Sequence, residues 1–260
     1  MKTCPPDNSH NRHAVLPEGS SASTARRAFL GAAAAGAMIA PGLFLIRTVS
    51  AKQPSGGVSS SVRWGMLVDT TRCASDCNAC VQACNDENAL HSSIALSQRP
   101  QWIRKVELKA KNTGREASLP VMCQHCEKPP CVDVCPTGAS FKRPDGIVLV
   151  DRHTCIGCRY CMMACPYKAR SFVHEDLHDQ NPEVPRGKGC VESCTFCVHR
   201  VDKGQTPACV EACAAKGKNA LLFGDLNDNG SAISKAVKAA HTRQIRADLE
   251  LNPGVRYRGI

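Results

Sequence analysis

Apolar residues in this chain come in short runs separated by turn residues, with no long periodic block after residue 50. Residues 63–68 read as a strand. Residues 102–109 alternate, with Trp102, Val106 and Leu108 set against Arg104, Lys105, Glu107 and Lys109 and only Ile103 out of phase, which predicts a half-buried strand. Pro144-Asp145-Gly146 stands between Phe141 and the apolar run 147–150, a turn signal that predicts a hairpin over 140–150. Further short strands are expected at 169–173 and 220–223, and the polar, Pro/Gly-rich stretch 178–189 reads as a surface loop. Asn229-Gly230-Ser231 caps a predicted helix with Ile233, Val237 and Ile245 on one face and Lys235, Lys238 and Arg243 largely elsewhere. The tail 252–260 has Pro, Gly and no period, so it reads as an arm packing on the domain or on a partner.

The N-terminal end follows a different pattern. Residues 1–22 are polar and aperiodic. Arg26-Arg27-Ala28-Phe29-Leu30 then opens an apolar, Gly/Ala-rich run to residue 46, and Val49-Ser50-Ala51 resembles a small-residue cleavage site. The run is short for a membrane span, diluted by Gly and Ala and interrupted by Pro41, which favours a removed leader over an anchor. The arginine pair resembles a twin-arginine export signal. The expected organisation is a signal peptide over 1–51, a Ser/Gly linker over 52–61, a main domain over 62–225 and a C-terminal helix and tail over 226–260. Export by that route places the mature protein in the periplasm.

Composition changes the picture most through cysteine. There are 18, and all but Cys4 follow residue 72, while aromatics are only 4% of the chain, thin for a large apolar core. Sixteen of them fall into four groups of four. Cys73, Cys77, Cys80 and Cys84 are spaced C-x3-C-x2-C-x3-C. Cys123, Cys126, Cys131 and Cys135 are spaced C-x2-C-x4-C-x3-C, followed by Pro136. Cys155, Cys158, Cys161 and Cys165 are spaced C-x2-C-x2-C-x3-C, followed by Pro166. Cys194, Cys197, Cys209 and Cys213 are spaced C-x2-C-x11-C-x3-C.

The third run matches the bacterial ferredoxin spacing for four-iron clusters, in which three cysteines of a run hold one cluster and the fourth serves the neighbouring one. The fourth cysteine is expected on the short helix after the loop, with Pro ending that helix. Crossed in this way, Cys123, Cys126, Cys131 and Cys165 share a cluster, as do Cys155, Cys158, Cys161 and Cys135. The outer runs give Cys73, Cys77, Cys80 with Cys213, and Cys194, Cys197, Cys209 with Cys84. Four [4Fe-4S] clusters are expected, with metal binding supplying much of the folding energy. Zinc fits poorly, because the runs are not separated pairs. A disulfide framework fits poorly too, because cysteines two residues apart pair badly and the count after leader removal is odd. Cys190 is left over and reads as a buried, inert thiol rather than a ligand replacing Cys194. His125, His153, His174 and His199 read as supporting or surface residues. Arg72, Arg159, Lys168, Arg170 and Arg200 lie beside cysteines and either raise cluster potentials or are simply solvated.

Net charge is +10, of which the first 51 residues carry five basic and two acidic side chains, leaving +7. Four oxidised cubes bring roughly −8. The basic excess therefore offsets cluster charge, and no nucleic-acid partner is expected. No Gly-rich phosphate loop, nucleophile–base set or catalytic carboxylate pair stands out.

These four groups in this order, with Arg200, Gly204 and Pro207-Ala208 inside the last, resemble the electron-transfer subunits of the dimethyl-sulfoxide-reductase type over residues 62–225. The resemblance implies an α+β fold of two interleaved bacterial-ferredoxin-like modules. It also implies an electron relay that is not itself an enzyme. The first run, the arginine-pair signal and the tail 252–259 resemble more narrowly the DsrO-type periplasmic iron–sulfur subunits of the Dsr membrane complex of sulfur metabolism. That implies an NrfD-type (DsrP-like) integral membrane subunit handling quinones, a multihaem cytochrome c (DsrJ-like) and other Dsr complex subunits, a heterodisulfide-reductase-like one among them. It also implies association with the cytoplasmic membrane through those partners. The extra residue between Cys73 and Cys77 departs from the general family pattern. The other readings are a relay subunit of an exported molybdopterin reductase or of a hydrogenase, and a cluster-bearing redox sensor, against which the lack of a DNA-binding motif counts.

Overall fold

The computed structural model describes residues 58–91, 98–112, 114, 116–178 and 180–260, and the backbone of 38–40 and 43–44. It divides into two units, Met1–Gln53 and Pro54–Ile260. In the first, β1 (Met38–Ala40) pairs antiparallel with β2 (Leu43–Phe44). The arginine pair and the cleavage site expected after Ala51 lie outside the described residues. Among the described residues no helix is long and apolar enough to cross a membrane.

The second unit mixes short strands and helices. β3 (Trp64–Asp69) leads into α1 (Ala79–Glu87). β4 (Ile103–Lys109) and β5 (Glu116–Met122) form an antiparallel pair. α2 (Pro130–Asp133) precedes the hairpin of β6 (Ser140–Lys142) and β7 (Val148–Val150). α3 (Tyr160–Ala164) comes next, then β8 (Ser171–Phe172), which pairs with β9 (Val191–Glu192). α4 (Val198–Val201), α5 (Ala208–Lys216) and β10 (Leu221–Asp225) follow. The chain ends with α6 (Ala232–Ala239), β11 (Thr242–Arg243), a 3-10 turn at Ala247–Leu249 and β12 (Val255–Arg258).

Strand β3 is central in a four-stranded sheet ordered β10-β3-β12-β11. Covered on both faces, it is buried along almost its whole length, with Met66 and Val68 fully enclosed. Strand β10 runs antiparallel to it, and β12 runs parallel, with Tyr257 opposite Val68. The tail therefore packs on the domain, as a strand within its core sheet. Gly65 permits this close pairing, because a Cβ there would stand 2.7 Å from the Gly254 carbonyl oxygen.

The hairpin at 140–150 forms as expected, and Gly146 takes a left-handed φ of 89° that favours glycine. Two other expectations are corrected. The capped helix stops at Ala239, and Ile245 lies beyond it, packed against the core from the segment after β11. Ser231 does cap the helix, its hydroxyl accepting from the Ser234 N–H at 3.1 Å. The strand 102–109 is fully buried only at Trp102 and Ile103, and along β4 exposure rises steadily to Lys109 instead of alternating.

Candidate iron–sulfur cluster sites

The four cysteine runs sit on loops that lead into short helices. Cys80 and Cys84 lie on α1, and Cys209 and Cys213 on α5; these two helices pack together. Helices α2 and α3 form the second packed pair, carrying Cys131 and Cys161. Here the fourth cysteine was expected on the helix, and the structure corrects this. Cys135 and Cys165 lie just past the last helical residue, Cys165 in extended geometry. Each precedes a proline, which disfavours helical geometry at the residue before it. Asn85 and Ala214 stand in the corresponding positions of the outer runs, and there the helix runs on through the cysteine.

The fold brings the thiols into four neighbourhoods. Cys73 feels Cys213 and Cys77, and Cys80 feels Cys213 and Cys73. Cys84 feels Cys194, Cys209 and Cys197. Cys126 feels Cys131 and Cys165, while Cys123 feels Cys131. Cys161 feels Cys155 and Cys135, and Cys158 lines the same cavity as those three. The neighbourhoods are themselves in series. Cys80 and Cys84 join the first to the second, Cys123 and Cys194 the second to the third, and Cys131 and Cys161 the third to the fourth. All eight cysteines of the two inner neighbourhoods are buried, whereas Cys73 and Cys77 at one end and Cys135, Cys155 and Cys158 at the other reach solvent.

Burial acts against ionised thiols here. It is the leading cause that pushes Cys80 up to about 11 and Cys126 and Cys194 up to about 12. Cys84, Cys123 and Cys209 are pushed well above the ordinary thiol range, again by burial first and neighbouring cysteines second. Cys135 differs. Burial is the largest single influence and pushes it up, but together the Thr137 hydroxyl and N–H groups including that of Ser140, 3.3 Å from its sulfur, outweigh burial and hold it below the usual value. Buried thiolates on this scale need a cation to displace their protons.

The donor set fits a cubane. Among the described residues no three His, Cys, Asp or Glu side chains converge as one metal ion requires, although the thiols group in fours. Buried donors also lack protein acceptors. Val148 N–H donates to His125 Nδ1 at 3.0 Å, which places the proton on Nε2, and that N–H has no partner. Nε and Nη1 of Arg170 are likewise without partners. Inorganic sulfide would accept from both. A cavity of about 290 Å³ is lined by Cys73, Cys77, Cys80 and Cys213.

Sequence reasoning missed several residues that build the sites. Lys105 Nζ donates to the carbonyls of Ala74, Ser75 and Cys77 at 2.7–2.8 Å, so it gathers the first loop around its extra residue. Lys105→Met is expected to cost about 1.5–3 kcal/mol. Iron loss should be confined to the first neighbourhood, measured as iron per chain after anaerobic gel filtration. Unchanged iron and unchanged stability would refute this role.

His125 read as a supporting or surface residue, and its burial selects the first; Phe196 was not singled out. They stack at 3.7 Å between ring centroids, fully buried, where the second and third neighbourhoods meet. Both hold the third place of a C-x2-C loop, and both take left-handed φ, 43° and 54°. That shared position was the available signal. Burial, then Arg170 and Arg63, push the His125 pKa down to about 3, so it is neutral.

The charged neighbours of the cysteines divide. Arg200 donates to Glu87 and Glu211 and so ties α4 to α1 and α5. Arg159 lies over the Phe172 ring at 4.0 Å, Lys168 reaches the Met163 carbonyl, and Arg72 reaches that of Asn219. Of the five only Arg170 donates to a cysteine sulfur, Cys131 Sγ at 3.1 Å. Cys190 donates to the Arg152 carbonyl at 3.3 Å and lies beside Cys155, away from Cys194.

Comparisons with known proteins agree with this donor chemistry. Residues 116–225 match the 4Fe-4S dicluster domain family. The chain is 45% identical over 262 residues to the Hdr-like menaquinol oxidoreductase iron–sulfur subunit 1 of Archaeoglobus fulgidus, covering 89% of this chain and 97% of that one. It is 40% identical over 179 residues to a tetrathionate reductase subunit of Salmonella typhimurium, covering 66% and 62% respectively. It is 37% identical over 196 residues to protein NrfC of Escherichia coli, covering 75% and 79%. The chain therefore belongs to the family of [4Fe-4S] electron-transfer subunits of membrane-associated oxidoreductase complexes.

Proposed function

We propose that this chain is a non-catalytic relay of four clusters in series, two buried and two reaching the surface. The order is Cys73/Cys77/Cys80/Cys213, then Cys84/Cys194/Cys197/Cys209, then Cys123/Cys126/Cys131/Cys165, then Cys135/Cys155/Cys158/Cys161. The observation that carries this is the exposure pattern along the thiol series: closed in the middle and open at both ends. A relay needs two contact points with other redox proteins and insulation between them. At one end, Ile156, Tyr160 and Met163 are each at least 60% exposed beside Cys158, an apolar rim suited to a docking partner.

The partner at one end, in this reading, is an NrfD-type (DsrP-like) membrane subunit that handles quinones. The other end serves a multihaem cytochrome c (DsrJ-like) within a Dsr-type complex of sulfur metabolism. Similarity to a protein named as a menaquinol oxidoreductase subunit supports the quinone side. The arginine pair and the small-residue site at Ala51 support twin-arginine export to the periplasm as a DsrO-type subunit. Two interleaved ferredoxin-like modules, one from the outer runs and one from the inner, accord with the packing of α1 on α5 and α2 on α3.

The second reading, a relay for an exported molybdopterin reductase, is favoured by the similarity to the tetrathionate reductase subunit. Affinity capture from solubilised membranes under argon separates the two. Recovery with a quinone-site membrane protein and a cytochrome c is expected, with about sixteen irons per chain. Recovery with a molybdopterin subunit in place of the cytochrome would select the second reading.

A further inference from the structure

Arg170 stands between the two central runs. It follows Cys165 by five residues and precedes β8, so the turn after the third run delivers it inward. Its side chain is almost fully enclosed, 6% exposed overall, which is rare for a cation without a carboxylate partner. No salt bridge of Arg170 to a carboxylate occurs among the described residues. Nη2 donates to Cys131 Sγ at 3.1 Å, in the third neighbourhood of the series. The same residue lines the cavity formed by Cys135, Cys155, Cys158 and Cys161, which is the fourth. Nε and Nη1 remain without acceptors. A guanidinium is a rigid planar fork that cannot shed its charge, so it must find anions on more than one side. The anions in reach are the thiolates and inorganic sulfides of the two clusters.

We propose that Arg170 is a shared counter-cation for the two central-run clusters, raising both reduction potentials. This rests on the cluster assignment proposed above. Each electron that enters a cluster adds one negative charge. A buried cation at hydrogen-bond distance favours that reduced state, because little solvent screens it. Because one fixed charge acts on both cubes, its removal should shift both of their potentials and leave the outer two in place. Arg170 is a positioning and tuning residue. It accepts no electron and touches no substrate.

The test is a redox titration of the purified, oxygen-protected full chain, followed by paramagnetic resonance, with iron and acid-labile sulfide measured on the same samples. In Arg170→Gln, the reduction equilibria of two clusters should fall tenfold or more, a shift of about 59 mV for one electron. The other two should stay in place, and iron should remain at its wild-type level. Four unmoved potentials at full iron would overturn the proposal. Should Arg170→Gln lose iron, Arg170→Lys carries the test, since an ammonium keeps the charge but cannot span two cubes. One of the two potentials should then fall while the other holds. Both unmoved, or all four shifted alike, would overturn the proposal. A wild-type chain with well under sixteen irons would instead reject the cluster assignment, a result read before any variant is made.

Discussion

Cys165→Ala is expected to damage the cluster that Cys123, Cys126 and Cys131 hold, 34 to 42 residues upstream of the substitution. The cluster bound by Cys165's own run, through Cys155, Cys158 and Cys161, should persist. Cys165 is buried, and its thiol acts on Cys126 and Cys131. Losing one thiolate of four in a closed, dry site leaves an iron with no protein ligand. Iron should drop by about one to four per chain, and because metal binding is folding energy the remaining structure should unfold more readily. Paramagnetic resonance decides the matter. Loss of a signal that also disappears in Cys126→Ala supports crossed ligation. A spectrum matching that of Cys158→Ala would reject it.

Tyr257→Ala should be the most damaging substitution outside the cysteines. Tyr257 is fully enclosed on β12, opposite Val68 of β3. Its hydroxyl donates to the Pro120 carbonyl at 3.2 Å and accepts from Gln124 Nε2 at 3.0 Å. Truncation to Ala removes a large buried ring and should cost about 3–5 kcal/mol. Tyr257→Phe keeps the ring and should cost about 1–3 kcal/mol for the orphaned partners. Anaerobic denaturant unfolding measures both. An alanine variant within about 1 kcal/mol of wild type would show that β12 is dispensable, against its central place in the sheet.

Much of this was legible in the sequence, for a local reason. The hairpin at 140–150 was marked by Pro144-Asp145-Gly146, and the cap at Ser231 by its own turn residues. The cysteine runs were visible because ligand spacing is a short-range property. What was hidden depends on distant partners. The tail shows no strand pattern of its own, yet β12 pairs with β3, about 190 residues earlier. Strand β5 was not predicted, and Pro120 stands in the middle of it. It is tolerated because β5 pairs with β4 alone, leaving an open edge where no N–H is needed. Lys105 looked like a solvent-facing position in an alternating strand, and nothing local said that it would gather the carbonyls of Ala74, Ser75 and Cys77. The fourth-cysteine error had a readable cause, since Pro136 and Pro166 already forbade the helix to include Cys135 and Cys165.

The last residues of the chain do more than complete a sheet. Gly254 N–H donates to the carbonyls of Gln124 and His125 at 2.8 and 3.2 Å, and Glu127 N–H donates to those of Leu251 and Asn252 at 3.0 and 3.1 Å. Pro253 bridges to Cys126. This segment is synthesised long after the loop it braces, because synthesis delivers the chain from its N-terminus. The loop carrying Cys123 and Cys126 thus stays unbraced until residues 251–254 have been made, so its buried centre closes only after more than a hundred further residues have been added.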